Sequence, residues 1–95
     1  MSRRLDEENH LRIRKNILKK LYAYKAFSKG HLLFERLLSG IPSHFRGWVA
    51  EVLAKLIKED LVRCYGKTLH GKAYQLNLDK LEEIEQIIFG ANPKN

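Results

Sequence analysis

The sequence predicts a small α+β domain in which three helices precede a β-hairpin and a fourth helix closes the chain. Apolar residues recur with a helical spacing up to about residue 60. They then alternate with polar residues, as in strands, before the helical spacing returns near residue 79. With 95 residues, of which 44% are hydrophobic, the chain can bury one small core. We therefore expect a single domain over residues 1–95, with a core of about residues 6–90 and a flexible tail at 91–95.

Two helices are predicted in the first part of the chain. Asp6 precedes an acidic first turn and is a suitable N-cap for a helix over about residues 6–26. The apolar positions of this helix are Ile13, Ile17, Leu18, Leu21 and Tyr24. The sequence HLLFERLLSG at residues 31–40 predicts a short second helix that ends at Gly40. Its expected buried side consists of Leu33, Phe34, Leu37 and Leu38.

The third helix has the strongest apolar periodicity in the chain. Ser43 follows Pro42 and is the expected N-cap of a helix over about residues 43–59. With residues spaced at about 100° around the axis, the core face comprises Phe45, Val49, Val52, Leu53, Leu56 and Ile57. The opposite face comprises His44, Gly47, Glu51, Lys55 and Lys58, and Trp48 lies on the border nearer this face.

A β-hairpin is predicted over about residues 62–77, with its tip at residues 68–71. Strand alternation directs Val62, Cys64, Tyr74 and Leu76 toward the core, whereas Arg63, Lys67 and Lys72 point outward or extend from the tip. The closing helix is expected to begin at Asp79, which forms a capping-box pattern with Glu82, and to end at Gly90. Its inner positions are Leu81, Ile84, Ile87 and Ile88.

The charge of the chain is concentrated in its middle. The sequence contains 18 Lys and Arg against 11 Asp and Glu, a net charge of +7. Residues 12–72 carry 14 of these cations and only four of the acids, whereas both ends are mildly acidic. A basic segment between acidic ends indicates a polyanionic partner such as nucleic acid.

Several function classes are excluded by what the sequence lacks. A single cysteine, Cys64, excludes an internal disulfide and indicates a reducing compartment, and no segment is apolar enough to span a membrane. We therefore expect a cytoplasmic protein. The histidines, at His10, His31, His44 and His70, lie in separate elements, and no catalytic motif is present. We expect neither enzymatic activity, nor a cofactor, nor a metal site.

A family resemblance rests on the end of the third helix and the hairpin. The stretch Leu53-x-x-Leu56-x-x-x-Asp60-Leu61-Val62-Arg63, followed by a hairpin ending in Tyr74-Gln75-Leu76, resembles the winged helix-turn-helix domains of small archaeal and bacterial transcriptional regulators. The resemblance covers about residues 10–90, and Asp60 stands where those regulators commonly have glycine. It implies a recognition helix at about residues 43–59 in the major groove of DNA and a wing at about residues 62–77 on the backbone or in the minor groove.

The candidate DNA contacts divide into two sets. The first turns of a recognition helix face base edges, and the base-reading candidates are Ser43, His44, Arg46, Gly47, Trp48 and Glu51. Gly47 either lets the helix approach DNA closely or makes room for Trp48 or a neighbouring helix. The N-terminus of the second helix, the third helix and the wing supply the phosphate-contact candidates, which are Ser28, Lys29, His31, Lys55, Lys58, Lys67, Thr68, His70 and Lys72.

The expected partner is double-stranded DNA, bound by a homodimer because two half-sites raise affinity and specificity. The closing helix has more apolar surface than one small core covers, so we expect it to form the dimer face together with the first helix. Its candidate residues are Leu81, Ile84, Ile87, Ile88 and Phe89. No small-molecule effector is indicated. Two alternatives remain open, since a winged helix can also be a protein-interaction module of a larger complex, or bind structured RNA through its first helix and wing.

Overall fold

The computed structural model describes residues 3–90. Within them, four α-helices and a three-stranded antiparallel sheet form an α+β arrangement. The helices are α1 (Arg3–Ala23), α2 (Phe34–Leu37), α3 (Arg46–Lys58) and α4 (Leu81–Phe89). The strands are β1 (Leu32–Leu33), β2 (Val62–Thr68) and β3 (Gly71–Leu76), and short 3-10 turns precede α3 and α4 at Ser43–Phe45 and Leu78–Lys80. The predicted tail at 91–95 lies outside the described residues.

The core lies between α1, α3, α4 and the inner face of the sheet. Each of these elements contributes fully buried side chains, and α2 and the turn after α3 add Leu37 and Leu61. The others are Ile17, Leu18, Leu21, Val49, Leu56, Val62, Leu76 and Ile84. Burial of such a side chain stabilises the fold by about 1.5–3 kcal/mol relative to its exposed state. The predicted core positions of the third helix are confirmed except for Phe45, which is half-buried, and Ile57, which is 37% exposed.

The boundaries of α1 differ from the prediction at both ends. The helix begins at Arg3, so Asp6 lies within it and is not its N-cap. It ends at Ala23 because Lys25 and Ser28 adopt positive φ angles of 55° and 59°, which no helix contains. Tyr24, expected in the core, is consequently 59% exposed.

The predicted second helix is mostly not a helix. Leu32 and Leu33 form β1, which pairs with Tyr74 and Ala73 of β3, and only four residues of α2 follow. Leu32 and Leu37 are buried, whereas the other expected positions, Leu33, Phe34 and Leu38, are half-buried. Pairing with β3 satisfies backbone groups that a helix would otherwise satisfy, and it overrides the helical spacing of the leucines.

Lys20 joins α1 to the end of α2. Its ammonium group donates hydrogen bonds to the carbonyl oxygens of Leu37, at 3.0 Å, and Ser39. These carbonyls lack partners within the short helix, so Lys20 acts as its C-terminal cap. Partial burial in this position lowers the pKa of Lys20.

The two ends of α3 also depart from the expected capping. Ser43 is the first residue of a 3-10 turn and not the N-cap, because Phe45 holds the N-cap position of α3 and no side chain caps it. At the other end, Asp60 adopts a positive φ of 68°, and the Leu61 N–H donates to the Leu56 carbonyl at 3.0 Å. Asp60 therefore takes the left-handed conformation that glycine commonly supplies at this point.

The hairpin and α4 contain two further corrections. Cys64, expected in the core, is exposed, because it lies on the edge strand β2, where the core does not cover its side chain although it pairs with Tyr74 of β3. A β-bulge follows it, between Cys64 and Gly66. Asp79 is not the cap that precedes α4. The buried Asn77 accepts from the Asp79 N–H at 3.0 Å and donates to the Asp60 carbonyl at 2.8 Å. The predicted end of the helix at Gly90 is confirmed.

Candidate nucleic-acid interface

The exposed face of α3 carries unusually short side chains. Gly47, Ala50 and Ala54 are all exposed and lie opposite the buried valines and leucines of the same helix. Within residues 3–90, a Cβ atom at Gly47 would meet no atom within 4 Å apart from its own chain neighbours, so Gly47 does not make room for a neighbouring helix. Whether it makes room for the adjacent Trp48 stays a prediction. A partner from outside can therefore approach the backbone of α3 closely along this face.

Three of the base-reading candidates lie around the start of α3. Ser43 and His44 are exposed in the 3-10 turn. Arg46 is exposed too, and its Nε donates to the Ile41 carbonyl at 3.3 Å. This bond holds the guanidinium beside the turn and leaves its two terminal nitrogens available for an acceptor outside the protein.

The other two candidates with side chains lie on the flank of α3 that packs on α1. The Trp48 ring is half-buried, with its centroid 4.7 Å from that of His10 and 5.4 Å from that of Phe45. Glu51 Oε2 is 3.9 Å from His10 Nε2. Trp48 is therefore occupied in packing, and Glu51 is placed beside α1 at the border of the exposed face.

A cleft of about 400 Å³ separates α3 from the tip of the hairpin. Its lining consists of Phe34, Glu35, Ala50, His70, Gly71, Lys72 and Tyr74. The rings of Phe34 and Tyr74 meet edge to face at 6.4 Å, and burial raises the pKa of Tyr74. Sequence reasoning missed this cleft because α2, α3 and the hairpin come together only in the folded chain. The exposed face of α3 and the hairpin tip thus border one opening.

The hairpin tip holds two cations side by side. Lys67 and Lys72 are direct cross-strand partners, and both are exposed. Like charges in this arrangement repel one another, and an anion between them relieves the repulsion. Thr68 fixes the turn, since its hydroxyl donates to the Gly71 carbonyl at 2.8 Å and accepts from the His70 N–H at 3.0 Å.

Lys55 and Lys58 extend the basic surface along the last turns of α3, and both are exposed. Lys55 borders a second cleft of about 200 Å³ between α1 and α3. In that cleft Arg14 forms an ion pair with Glu59, so this arginine is already neutralised by the protein itself. The two lysines carry no such ion pair within the described residues.

The second helix does not supply the N-terminus on which the predicted phosphate contacts of Ser28, Lys29 and His31 rested. These residues lie in the loop before β1, and α2 begins only at Phe34. The loop is instead held to the sheet, because Gln75 Nε2 donates to the carbonyls of Ser28 and Gly30 at 2.9 and 3.0 Å.

The predicted dimer face is also largely unavailable. Ile84 and Ile88 belong to the core of the domain, with 0% and 4% of their surface exposed. The closing helix was expected to carry more apolar surface than one core could cover, but both isoleucines are buried and α1 packs against α4. Of the five candidates, Leu81 and Ile87 are half-buried, and only Phe89 is largely exposed, at 65%.

Comparison with known proteins gives only a partial match. No family model matches the chain. A methionyl-tRNA formyltransferase of Prochlorococcus marinus (strain MIT 9211) is 42% identical over 55 residues, which cover 54% of this chain and 16% of that protein. No solved structure matches the chain. The similar segment spans less than a fifth of that relative's length.

The structure also gives observations on membrane-spanning helices and on metal-binding side chains. No helix within residues 3–90 is long and apolar enough to cross a membrane. Among the side chains that the structure describes, His, Cys, Asp and Glu form no group of three or more that could hold a metal ion. The absence of enzymatic activity stays a prediction.

Proposed function

We propose that this protein binds double-stranded DNA as a winged helix-turn-helix regulator of transcription. In this arrangement α3 enters the major groove, and the hairpin tip contacts the backbone or the minor groove. The observation that carries the proposal is the shared opening between Ala50 on the exposed face of α3 and His70 to Lys72 at the hairpin tip. A helix and a hairpin that border one opening are able to contact the same duplex.

The short side chains of α3 support close docking. An α-helix fits the major groove of B-DNA, which is about 12 Å wide. Gly47, Ala50 and Ala54 keep the exposed face of α3 narrow, and among the described residues no atom apart from the chain neighbours lies within 4 Å of a Cβ atom at Gly47. Because these side chains are short and apolar, they limit direct readout of base edges by α3. We therefore propose semi-specific recognition, in which Arg46 and His44 reach bases and most of the affinity comes from phosphates.

The charges around this face favour a polyanion. Exposed cations lie along α3 and at the hairpin tip, namely Arg46, Lys55, Lys58, Lys67 and Lys72. Contacts from lysine and arginine to phosphates dominate the affinity of most DNA-binding proteins. The repulsion between Lys67 and Lys72, which are cross-strand partners, falls when a phosphate lies between them.

We also propose that the protein binds DNA as a homodimer. With Ile84 and Ile88 in the core, the contact on α4 is restricted to Leu81, Ile87 and Phe89. Light scattering at high micromolar concentration measures the mass in solution. A dimer that Phe89→Ala converts to monomers supports this interface, and a monomeric wild-type protein contradicts it.

Removal of two cations tests the duplex-binding proposal. We expect Arg46→Ala combined with Lys55→Ala to weaken binding of a random DNA duplex by at least about tenfold, because two phosphate or base contacts are lost. Fluorescence anisotropy of a labelled duplex measures the dissociation constant. Lys15→Ala combined with Lys19→Ala is the matched control, since both residues are exposed on α1 and the same charge is removed.

Two outcomes contradict the proposal. Unchanged duplex affinity in the Arg46 and Lys55 double variant excludes docking through α3. Stronger competition by an RNA duplex than by a DNA duplex also contradicts the proposal, because the deep, narrow groove of A-form RNA does not admit a helix such as α3. That result favours the structured-RNA alternative.

A further inference from the structure

The outer face of the sheet is separate from the cleft and from the core. Strand alternation places Val62, Tyr74 and Leu76 on the inner face, where they belong to the core cluster. Ala73 is fully buried but is not part of that cluster. Since successive residues of a strand point to opposite faces, Ala73 lies on the outer face, on the side opposite to Tyr74.

Two aromatic rings are stacked beside this surface. The rings of His31 and Tyr65 lie nearly parallel, with centroids 4.3 Å apart and an angle of 15° between their planes. His31 comes from the loop before β1, and Tyr65 is the residue that the β-bulge inserts into β2. Both remain accessible, and Tyr65 is 47% exposed. Exposed aromatic rings of this kind offer a surface on which a further planar group can stack.

The residues next to the two rings are basic. Lys29 is two residues before His31, and Arg63, which pairs with Gln75 and so lies on the outer face, is two residues before Tyr65. Both cations are exposed, and the carboxylate of Asp79 is near Arg63, at 3.9 Å. Aromatic rings surrounded by cations are the combination with which proteins hold single-stranded nucleic acid, since bases stack and phosphates pair with the charges.

We infer that the outer face of the sheet binds single-stranded DNA, with an unpaired base stacked on the His31–Tyr65 pair and its phosphates beside Lys29 and Arg63. A base within a duplex cannot use this surface, because its two faces are already stacked on neighbouring bases. The selection of unpaired bases follows from the rings. The choice of DNA over RNA rests on the proposed function.

Fluorescence anisotropy of a labelled thymidine oligonucleotide tests this inference. A length of about ten nucleotides suits a single small binding surface. We expect Tyr65→Ala to weaken binding by about tenfold, the effect of losing one stacked base. Tyr65→Phe keeps the ring and is expected to bind as the wild type does. His31→Ala is expected to weaken binding as well, because it removes the ring that holds Tyr65 in place.

The same variants separate this surface from the duplex-binding face. Tyr65→Ala should leave the affinity for a DNA duplex unchanged, and the Arg46 and Lys55 double variant should keep its affinity for the thymidine oligonucleotide. Equal oligonucleotide affinity in Tyr65→Ala and the wild type, or an equal loss in Tyr65→Phe and Tyr65→Ala, overturns the inference. Tighter binding of the matching uridine oligonucleotide overturns the choice of DNA. Circular dichroism of each variant checks that it is folded.

Discussion

Gly30 and Gly47 show at the scale of single residues how differently two glycines serve this fold. A Cβ atom at Gly30 would lie 2.3 Å from the backbone oxygen of Lys25, which is shorter than any tolerated contact. At Gly47 a Cβ atom would meet nothing within 4 Å. Gly30 is therefore required for the loop to pack, whereas Gly47 is dispensable for the fold and lies where an outside partner can approach.

This contrast predicts opposite effects of alanine at the two positions. Gly47→Ala should raise the free energy of unfolding by about 0.5–1 kcal/mol, because alanine loses less backbone entropy in a helix. Gly30→Ala should lower it by about 1–3 kcal/mol, because the backbone has to shift to remove the clash. Urea unfolding followed by circular dichroism measures both, and a destabilised Gly47→Ala would contradict the description of this site.

Capping of the 3-10 turn that precedes α4 gives a second prediction at this scale. Asn77→Ala should destabilise the protein by about 1–3 kcal/mol, because it leaves the Asp60 carbonyl and the Asp79 N–H without partners next to a buried position. Asp79→Ala is the matched control. Its exposed pair with Arg63 at 3.9 Å contributes little, so the change should stay below about 0.5 kcal/mol. Urea unfolding measures both changes, and a larger loss of stability in Asp79→Ala than in Asn77→Ala would indicate that Asp79 is the cap.

At the scale of elements, α1 and α4 are joined by a hydrogen bond that titrates. The Tyr22 hydroxyl donates to Glu85 Oε2 at 2.7 Å, and its ring meets that of Phe89 edge to face at 5.5 Å. The hydrogen bond to Glu85, then burial and the negative charge of Glu85, raise the pKa of Tyr22 above its ordinary value. A tyrosine with a raised pKa stabilises the folded state only while it stays protonated.

The stability contributed by Tyr22 should therefore disappear at alkaline pH. It is fully present below the ordinary pKa of about 10 for tyrosine and is lost as the pH rises through the higher pKa of the folded state. We expect Tyr22→Phe to be less stable than the wild type at pH 7. The difference in the free energy of unfolding should shrink once the pH rises above the ordinary tyrosine pKa of about 10. Urea unfolding at a series of pH values measures it, and a difference independent of pH would mean that the hydrogen bond contributes nothing.

The elements also differ in how far the sequence could predict them. The apolar periodicity of α3 and the alternation of the hairpin are strong local signals, and both elements were predicted close to their observed bounds. The strand at Leu32 and Leu33 could not be foreseen, because it exists only through its pairing with β3. The exposure of Cys64 could not be foreseen either, because strand alternation does not show how far the core extends under an edge strand. The exposed position of Gly47 was predictable from helical spacing, but the stacking of His31 on Tyr65 brings together residues far apart in the sequence.

For the whole molecule, binding of an anionic partner depends more on where the charges lie than on the net charge. The net charge of +7 indicates an anionic partner, but some of the cations act within the protein. Arg14 pairs with Glu59, and Lys20 caps the end of α2. The cations around α3 and the hairpin tip remain exposed toward solvent. The proposed interface therefore has a definite set of charges that a salt titration can count.

We expect duplex binding to weaken steeply with salt. Neutralisation of about five phosphates by Arg46, Lys55, Lys58, Lys67 and Lys72 predicts a slope of about −4 to −5 for the logarithm of the binding constant against the logarithm of the salt concentration. Lys67→Ala should reduce the magnitude of this slope by about one. Anisotropy titrations between low and moderate salt measure it, and a flat dependence would contradict binding through phosphates.

Duplex binding by Gly47→Leu tests the central claim most directly, because leucine fills the space beside α3 without removing a charge. We expect the Gly47→Leu protein to be at least as stable as the wild type. Leucine is a good helix former, and among the described residues its Cβ atom would contact none but its chain neighbours. We also expect its duplex affinity to be at least about tenfold weaker, while Ala23→Leu, at the exposed end of α1, keeps the wild-type affinity. A stable Gly47→Leu protein with unchanged duplex affinity would show that α3 does not enter the groove.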